Sequence, residues 1–401
     1  MNILVAQSGG PTAAINATIA GVIEEAQNYK KIKNVYGALN GIEGVINKNL
    51  VSFDEIDIEL LFKTPSSALG SCRYKLPTDL DNEIYPKIIS YLKEKDIRCF
   101  IYVGGNDSMD TVLKLSNYCK KNKIEDISII GAPKTIDNDL MGTDHCPGFG
   151  SAAKYVATTF LELEKDCSVY NQPSLTLVEV MGRNSGWLIA ASALSKLNGG
   201  EGPSLIYLCE EPFKEDRFLE DVGEKLTEGK PVLVALSEGL KDLTGKYIGG
   251  SESEKTDNFG HVNSAGAGKY LENLVKKEMD VKVRSIELNI MQRCSGHITS
   301  KRDLDESKML GQEALKLALE NKSGRMVGLK RLTNIPYQVE VINTSIQEIA
   351  NLEKKVPLKW ISSSKNYVEK ELINYIKPLI EGEVEVDYEN GIPKYFSLKK
   401  Y

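Results

Sequence analysis

Short runs of aliphatic and β-branched residues recur along this 401-residue chain, each closed by glycine or a small polar residue and followed by an apolar pattern of helical period. Ile3-Leu4-Val5-Ala6 leads into Gly9-Gly10, after which Ile15, Ile19, Val22, Ile23 and Ala26 share one helical face. Phe100-Ile101-Tyr102-Val103 leads into Gly104-Gly105, with Asp107-Ser108 at the expected helix start and Met109, Val112 and Leu113 on its apolar side. The run 127–130 enters Gly131 and a loop holding Asp137 and Asp139, and Gly148-Phe149-Gly150 opens a helix through Tyr155, Phe160 and Leu163. In the second half, 175–180 runs into Met181-Gly182-Arg183 and a helix carrying Trp187, Leu188, Ala191 and Leu194, with further strands expected at 204–208 and 232–236. Strands apolar on both faces, alternating with amphipathic helices, require parallel sheets covered on both sides. The fold class is therefore α/β.

In such sheets ligands bind beyond the carboxyl ends of the strands, which is where these Gly, Asp and Arg residues fall. With 41% hydrophobic and 26% charged residues the chain can bury a large core, and its length favours two lobes. A net charge of −6 supplies no basic field for nucleic acid, so an anionic ligand must be held by local positive groups. Seven cysteines without a Cys-x-x-Cys pair read as free thiols in a reducing compartment. The opening run 1–6 is too short for a signal sequence, and no stretch approaches the ~20 apolar residues of a membrane helix, so a cytoplasmic protein without membrane partners is expected. The polar segment 241–263 reads as a long loop before a helix at 271–279. Residues 355–401 read as a peripheral tail with a helix at 368–380 and a hairpin around Asn390-Gly391.

Gly9-Gly10, between a strand and a helix, can present backbone N–H groups to an anion, although a tight turn alone also calls for glycine. The chain has neither the spaced Gly-x-Gly-x-x-Gly dinucleotide fingerprint nor a Walker Gly-Lys-Ser/Thr, which disfavours a dehydrogenase and a P-loop enzyme. Asp137 and Asp139, taken singly, are ordinary solvated turn carboxylates. Beside Lys134 they suit phosphoryl transfer: one carboxylate accepts a hydroxyl proton, the other helps hold a divalent cation, and the lysine neutralises phosphate charge. Met181-Gly182-Arg183, Glu238, Arg284 and Gln292-Arg293 lie at or after expected strands, where arginine forks suit phosphate and Glu238 suits sugar hydroxyls. His145, His261 and His297 lack zinc-ligand spacing, His145 lies near the Asp loop as a residue that would support it rather than touch substrate, and Trp187 reads as core.

Over roughly positions 1–345 these ordered motifs resemble the phosphofructokinase family: Gly9-Gly10, Gly70-Ser71-Cys72-Arg73, Gly104 to Ser108, Pro133 to Asp139, Met181-Gly182-Arg183, Glu238, and Arg284 through Gln292-Arg293. The resemblance implies two doubly wound, Rossmann-like lobes with the active site in the cleft between them. The donor lobe would take 1–148 plus about 292–345, the fructose 6-phosphate lobe 149–291, and a C-terminal extension 346–401. By the same resemblance Asp137 is the base for the sugar 1-hydroxyl, Thr135 is a neighbouring phosphate contact, Ile136 lines the substrate site, and Arg73 contacts the phosphoryl in flight. Gly10, Gly104 and Gly105 would line the donor, while Met181, Gly182, Arg183, Glu238 and Arg293 would hold the sugar phosphate. Arg284 matches a residue lent by a neighbouring subunit, so a homodimer or homotetramer is expected.

The family pattern ties the donor to two positions. Members using pyrophosphate carry Asp and Lys where this chain has Asp107 and Lys134, and a carboxylate at the place of an α-phosphate repels a nucleotide. The expected reaction is Mg²⁺-dependent transfer from pyrophosphate to fructose 6-phosphate, with Asn106 and Asp139 toward the metal. An ATP-dependent member and a non-catalytic sugar-phosphate sensor are the alternatives. Three positions depart from the family: Asn106 stands for a common Asp, Ser174 for a substrate arginine and Ile290 for a His.

Overall fold

Two sheets organise the chain, which a computed structural model describes for residues 1–170, 172–250 and 266–398. In chain order the strands are β1 (Asn2–Gln7), β2 (Val35–Ala38), β3 (Leu50–Ser52), β4 (Ile97–Gly104), β5 (Ser128–Pro133), β6 (Ser174–Val180), β7 (Leu205–Tyr207), β8 (Val232–Ser237), β9 (Lys282–Glu287), β10 (Arg325–Asn334), β11 (Tyr337–Ser345), β12 (Tyr388–Glu389) and β13 (Ile392–Pro393). The helices that matter below are α1 (Ile15–Gln27), α2 (Asn106–Lys121), α3 (Phe149–Cys167), α4 (Ala267–Glu278), α5 (Lys301–Leu319) and α6 (Lys370–Ile376). By its contacts the chain divides into two compact units. Unit 1 holds Met1–Ser151, Arg293–Glu353 and the chain from Glu381 on; unit 2 holds Ala152–Gln292 and Lys354–Ile380.

The unit 1 sheet has the order β11-β10-β5-β4-β1-β2-β3, with β2, β1, β4, β5 and β10 parallel and antiparallel pairs at both edges. Side-chain alternation explains why its inner strands read as unbroken apolar runs. Leu4, Ala6, Phe100, Tyr102 and Ile129 enter one buried cluster, while Ile3, Val5, Cys99, Ile101, Val103, Ile130 and Ala132 enter another. Each large apolar side chain buried in this way contributes about 1.5–3 kcal/mol. From β1 the chain proceeds to β2 on one side and later to β4 on the other. That reversal opens a crevice at the carboxyl ends of β1 and β4. Close packing brings α5 onto this unit from far along the sequence. A side chain on Gly21 would overlap the Lys308 backbone, and one on Gly311 the Thr18 backbone, so glycine on both helices lets α1 and α5 touch main chain to main chain.

The unit 2 sheet is wholly parallel, in the order β7-β8-β6-β9. Leu175, Leu177, Val232, Val234 and Leu236 pack with Phe213, Phe218 and Val222 in its core. The expected strands at 204–208 and 232–236 appear as β7 and β8, and the helix expected at 271–279 begins earlier, at Ala267. Most of the polar segment 241–263, including His261, lies outside the described residues.

The tail is not peripheral. Trp187 is buried as expected, but its partners come from the tail: its Nε1 donates to the Lys354 carbonyl at 2.9 Å, and its ring lies 5.1 Å from Tyr375 and 6.1 Å from Trp360. Leu372, Ile376 and Leu379 are buried in unit 2 and Phe396 in unit 1. The apolar residues that do this are too sparse to stand out in a polar stretch. The Asn390-Gly391 hairpin is present with shorter strands, β12 and β13, both turn residues having positive φ. Every cysteine is a free thiol, and five of the seven are buried.

Candidate active site

Unit 1 gathers its chemistry at the ends of β1, β4 and β5. The β5 run ends at Pro133, and Lys134 follows directly, only 2% exposed, with its Nζ donating to the Gly10 carbonyl at 2.6 Å. Its backbone N–H donates to Gly104 O at 3.0 Å, joining the β5 loop to the β4 end. Burial pushes the Lys134 ammonium down to about 8, against the pull of Asp137 and Asp139 and with Arg293 adding to the depression. Arg293 therefore belongs to this group: a Cβ on Gly10 would sit 2.9 Å from its Nη1. One expectation is corrected here. Helix α1 begins only at Ile15, so Gly10 does not sit at a helix N-terminus, and its carbonyl serves Lys134 instead.

Gly105, in contrast, is the N-cap of α2 with no side-chain cap. The N–H groups that open a helix largely lack partners within it and favour an anion, and here that of Ser108 already turns back to the Gly105 carbonyl at 3.0 Å. Asn106, Asp107 and Ser108 form that first turn, and Ser108 Oγ meets Ser8 Oγ at 2.5 Å, tying the ends of β1 and β4 together. Asp107 is half exposed and its carboxylate pairs with Lys75 at 3.1 Å. Arg73 is exposed, in the irregular stretch that also carries Lys75.

The loop after β5 holds the carboxylates. Thr135 Oγ1 accepts the Asp137 N–H at 3.1 Å, Ile136 is buried, and Asn138 adopts a φ of 54° with Oδ1 accepting the Cys146 N–H at 2.9 Å. Asp139 faces Asn106, whose Nδ2 lies 3.4 Å from its Oδ2. Burial raises the Asp139 carboxyl, partly offset by Thr135 and Lys134. Asn106 Oδ1 is buried without a hydrogen-bond partner in the protein. An orphaned amide oxygen beside a carboxylate is a donor set that a hard divalent cation sharing phosphate and water ligands fits. Among the described residues no cluster of three or more His, Cys, Asp or Glu could hold a metal by itself.

Unit 2 places Met181, Gly182 and Arg183 directly after β6 and Glu238 directly after β8. Gly182 has a φ of 130°, which a side chain would strain, and its N–H donates to Glu238 Oε1 at 3.3 Å. Ser237 Oγ donates to Gly182 O at 2.9 Å, and Gln292 Oε1 accepts the Met181 N–H at 3.3 Å. Arg183 Nε is buried without a partner. A cavity of about 100 Å³ is lined by Met181, Glu238, Glu179, Glu287 and Asn289. Burial pushes Glu179 up to about 7, tempered by the Gly268 N–H, with Glu287 and Glu238 adding to the rise. Arg284 stands elsewhere, exposed on the edge strand β9 with its guanidinium 4.0 Å from Asp166, and Ile290 is 55% exposed in the turn after β9.

A family-wide pattern described as Phosphofructokinase matches residues 2–318. The chain belongs to the phosphofructokinase family. The pyrophosphate–fructose 6-phosphate 1-phosphotransferase of Xanthomonas campestris pv. campestris is 38% identical over 99% of this chain and 96% of its own. Among solved structures, the pyrophosphate-dependent phosphofructokinase of Nitrosospira multiformis superposes with a TM-score of 0.90 at 35% identity, covering 100% of this chain and 97% of that one. That of Marinobacter aquaeolei gives 0.88 at 34% identity, over 98% and 95%. The α/β architecture of two sheets is that of phosphofructokinases.

Two site residues carry no local sequence signal. Lys75 pairs with Asp107 across 32 positions of chain, and Glu179 sits inside an apolar strand; nothing local marks either one. Gln292 was visible only as a neighbour of Arg293, and its side chain fixes the Met181 amide.

Proposed function

We infer that this phosphofructokinase moves a phosphoryl group from pyrophosphate to the 1-hydroxyl of fructose 6-phosphate, giving fructose 1,6-bisphosphate and phosphate. The donor assignment rests on two residues at neighbouring strand ends, a buried Lys134 directly after β5 and Asp107 on the first turn of α2, the helix after β4. Pyrophosphate ends where a nucleotide would bring its α-phosphate against Asp107, so the carboxylate selects by repulsion. Asp137 takes the hydroxyl proton as the sugar oxygen attacks phosphorus and the bridging P–O bond breaks. The positive charge of Lys134 accompanies the departing phosphate, and the Gly105 end of α2 and Arg73 hold the donor. Asn106 Oδ1 and Asp139 would hold Mg²⁺, which neutralises phosphate charge when bound.

Met181, Gly182, Arg183 and Glu238 form the proposed sugar-phosphate subsite, Arg183 supplying the cation and Glu238 the hydroxyl acceptor. Arg293, grouped with Gly10 and Lys134, serves phosphate from unit 1. Arg284, exposed on an edge strand, suits a site completed in a homodimer or homotetramer. No helix among the described residues is long and apolar enough to cross a membrane, and we place the enzyme in the cytoplasm. Incubation with Mg²⁺, fructose 6-phosphate and pyrophosphate should yield fructose 1,6-bisphosphate, and the bisphosphate with phosphate should regenerate pyrophosphate. Failure of both directions overturns the reading.

A further inference from the structure

Behind the Asp137 loop lies a buried polar network that the reaction does not use directly. His145 is 3% exposed and bridges two carboxylates: Nδ1 meets Asp144 Oδ2 at 2.8 Å and Nε2 meets Glu306 Oε2 at 2.6 Å. Glu306, on α5, also accepts from the Tyr337 hydroxyl at 2.8 Å. Arg331, on β10, donates through Nε to Asp144 at 3.0 Å, and the Arg302 and Arg331 guanidinium groups lie 4.4 and 5.3 Å from the Tyr337 ring centre. Asp303, also on α5, accepts the N–H groups of Gly148 and Ser151 at 2.8 and 2.9 Å. Three elements, α5, β10 and β11, thus converge on one end of the loop that carries Asp137 at its other end.

The two ends are joined by a short path. The segment before His145 is pinned to β10, since Asp144 N–H donates to Leu329 O at 2.7 Å and Thr143 Oγ1 accepts the Leu329 N–H at 3.0 Å. The residue after it, Cys146, donates its N–H to Asn138 Oδ1. Asn138 holds a left-handed backbone between Asp137 and Asp139, a conformation that the side-chain hydrogen bond of an Asn supports. A displaced Cys146 amide would release that turn and re-aim both carboxylates.

We propose that His145 is a positioning residue for phosphoryl transfer, clamped between Asp144 and Glu306 so that the Cys146 amide fixes Asn138 and, through it, the aim of Asp137. Burial pulls the imidazole toward neutrality, but Glu306 and Asp144 more than offset it, so the two carboxylates raise its pKa above the ordinary histidine value. Removing the imidazole takes a partner from both carboxylates, Asp144 keeping Arg331 and Glu306 keeping the Tyr337 hydroxyl, so the Glu306 side of the clamp is the more sensitive to substitution.

The inference rests on Asp137 as the base, and the test separates the two claims. In His145→Gln, kcat should fall by about tenfold or more with both KM values within about twofold, because misplacement of a reacting group lowers kcat rather than binding. Amide exchange in 137–146 should quicken while the β1 and β4 core keeps its protection. Glu306→Gln, of the same shape, covers the case in which His145→Gln does not fold; it should lose about threefold in kcat with the same local exchange signature. Unchanged kcat and exchange in a folded variant, or faster exchange spread over all of unit 1, overturns the positioning role. Wild-type protein that makes no fructose 1,6-bisphosphate overturns the functional reading instead, and the exchange result still judges the clamp.

Discussion

Lys75 Nζ stands 3.1 Å from Asp107 Oδ1, with both side chains about half exposed. The residue assigned to keeping nucleotide out is therefore ion-paired, and the strength of that pair decides how much negative charge remains. An exposed pair contributes about 0.2–1 kcal/mol and is weakened by salt. That is too little to cancel a carboxylate facing a phosphate, where like-charge juxtaposition costs several kcal/mol. Lys75→Ala should accordingly change the ratio of pyrophosphate to ATP use by less than about fivefold. Steady-state kcat/KM for each donor checks it.

Lys134 gives the enzyme a pH dependence with a definite sign. Its ammonium titrates at about 8 in the folded protein and at the ordinary lysine value, about 10.5, when unfolded. Above about 8 the charge on the leaving phosphate loses its counter-ion, so kcat/KM for pyrophosphate should fall through that pH. Stability moves oppositely: between about 8 and 10.5 the unfolded chain binds more protons, so unfolding free energy from this group rises with pH. By the same logic Lys134→Met should gain up to about 3 kcal/mol at pH 7 while losing turnover, as denaturant titration and initial rates would show.

Asp137→Asn keeps the loop shape and the Thr135 cap on its N–H but removes the proton acceptor. A loss of about 10²–10⁴ in kcat is expected, with the KM for fructose 6-phosphate changed little. Initial-rate kinetics across fructose 6-phosphate concentrations measure both terms.

The strands and the site differ in how far the sequence revealed them. Runs such as 100–103 ending in Gly104-Gly105 are legible because a parallel strand buried on both faces admits only apolar residues, and the chain must then turn. Elements at and next to the sheet edges are not: β2 and β3 have four and three residues, and β10 and β11 carry polar outer halves that break the apolar pattern. Lys134, Asp137 and Asp107 could be singled out since each lies within a few residues of a strand's end. His145 was legible as a neighbour of the Asp loop, but the partners that hold or offset these residues, Gly10 O, Lys75 and the Glu306, Arg331 and Tyr337 side chains around His145, are set by tertiary contact and leave no local period.

The tail tests that distinction. Leu372 is fully buried on α6, the helix whose Tyr375 ring lies 5.1 Å from that of Trp187, so Leu372→Ala should destabilise by about 2–5 kcal/mol. A peripheral tail would tolerate it. Urea unfolding followed by tryptophan fluorescence reads the difference, since Trp187 and Trp360 both lie at this contact.

Donor choice, measured side by side in wild type and in the double variant Asp107→Gly/Lys134→Gly, tests the donor assignment most directly. Wild type should prefer pyrophosphate over ATP in kcat/KM by about 100-fold or more, corresponding to roughly 2.7 kcal/mol of discrimination. The double variant should lose at least about tenfold with pyrophosphate. A wild-type preference for ATP, or a double variant that uses pyrophosphate as well as wild type does, would contradict the assignment of Asp107 and Lys134 as the donor selectors.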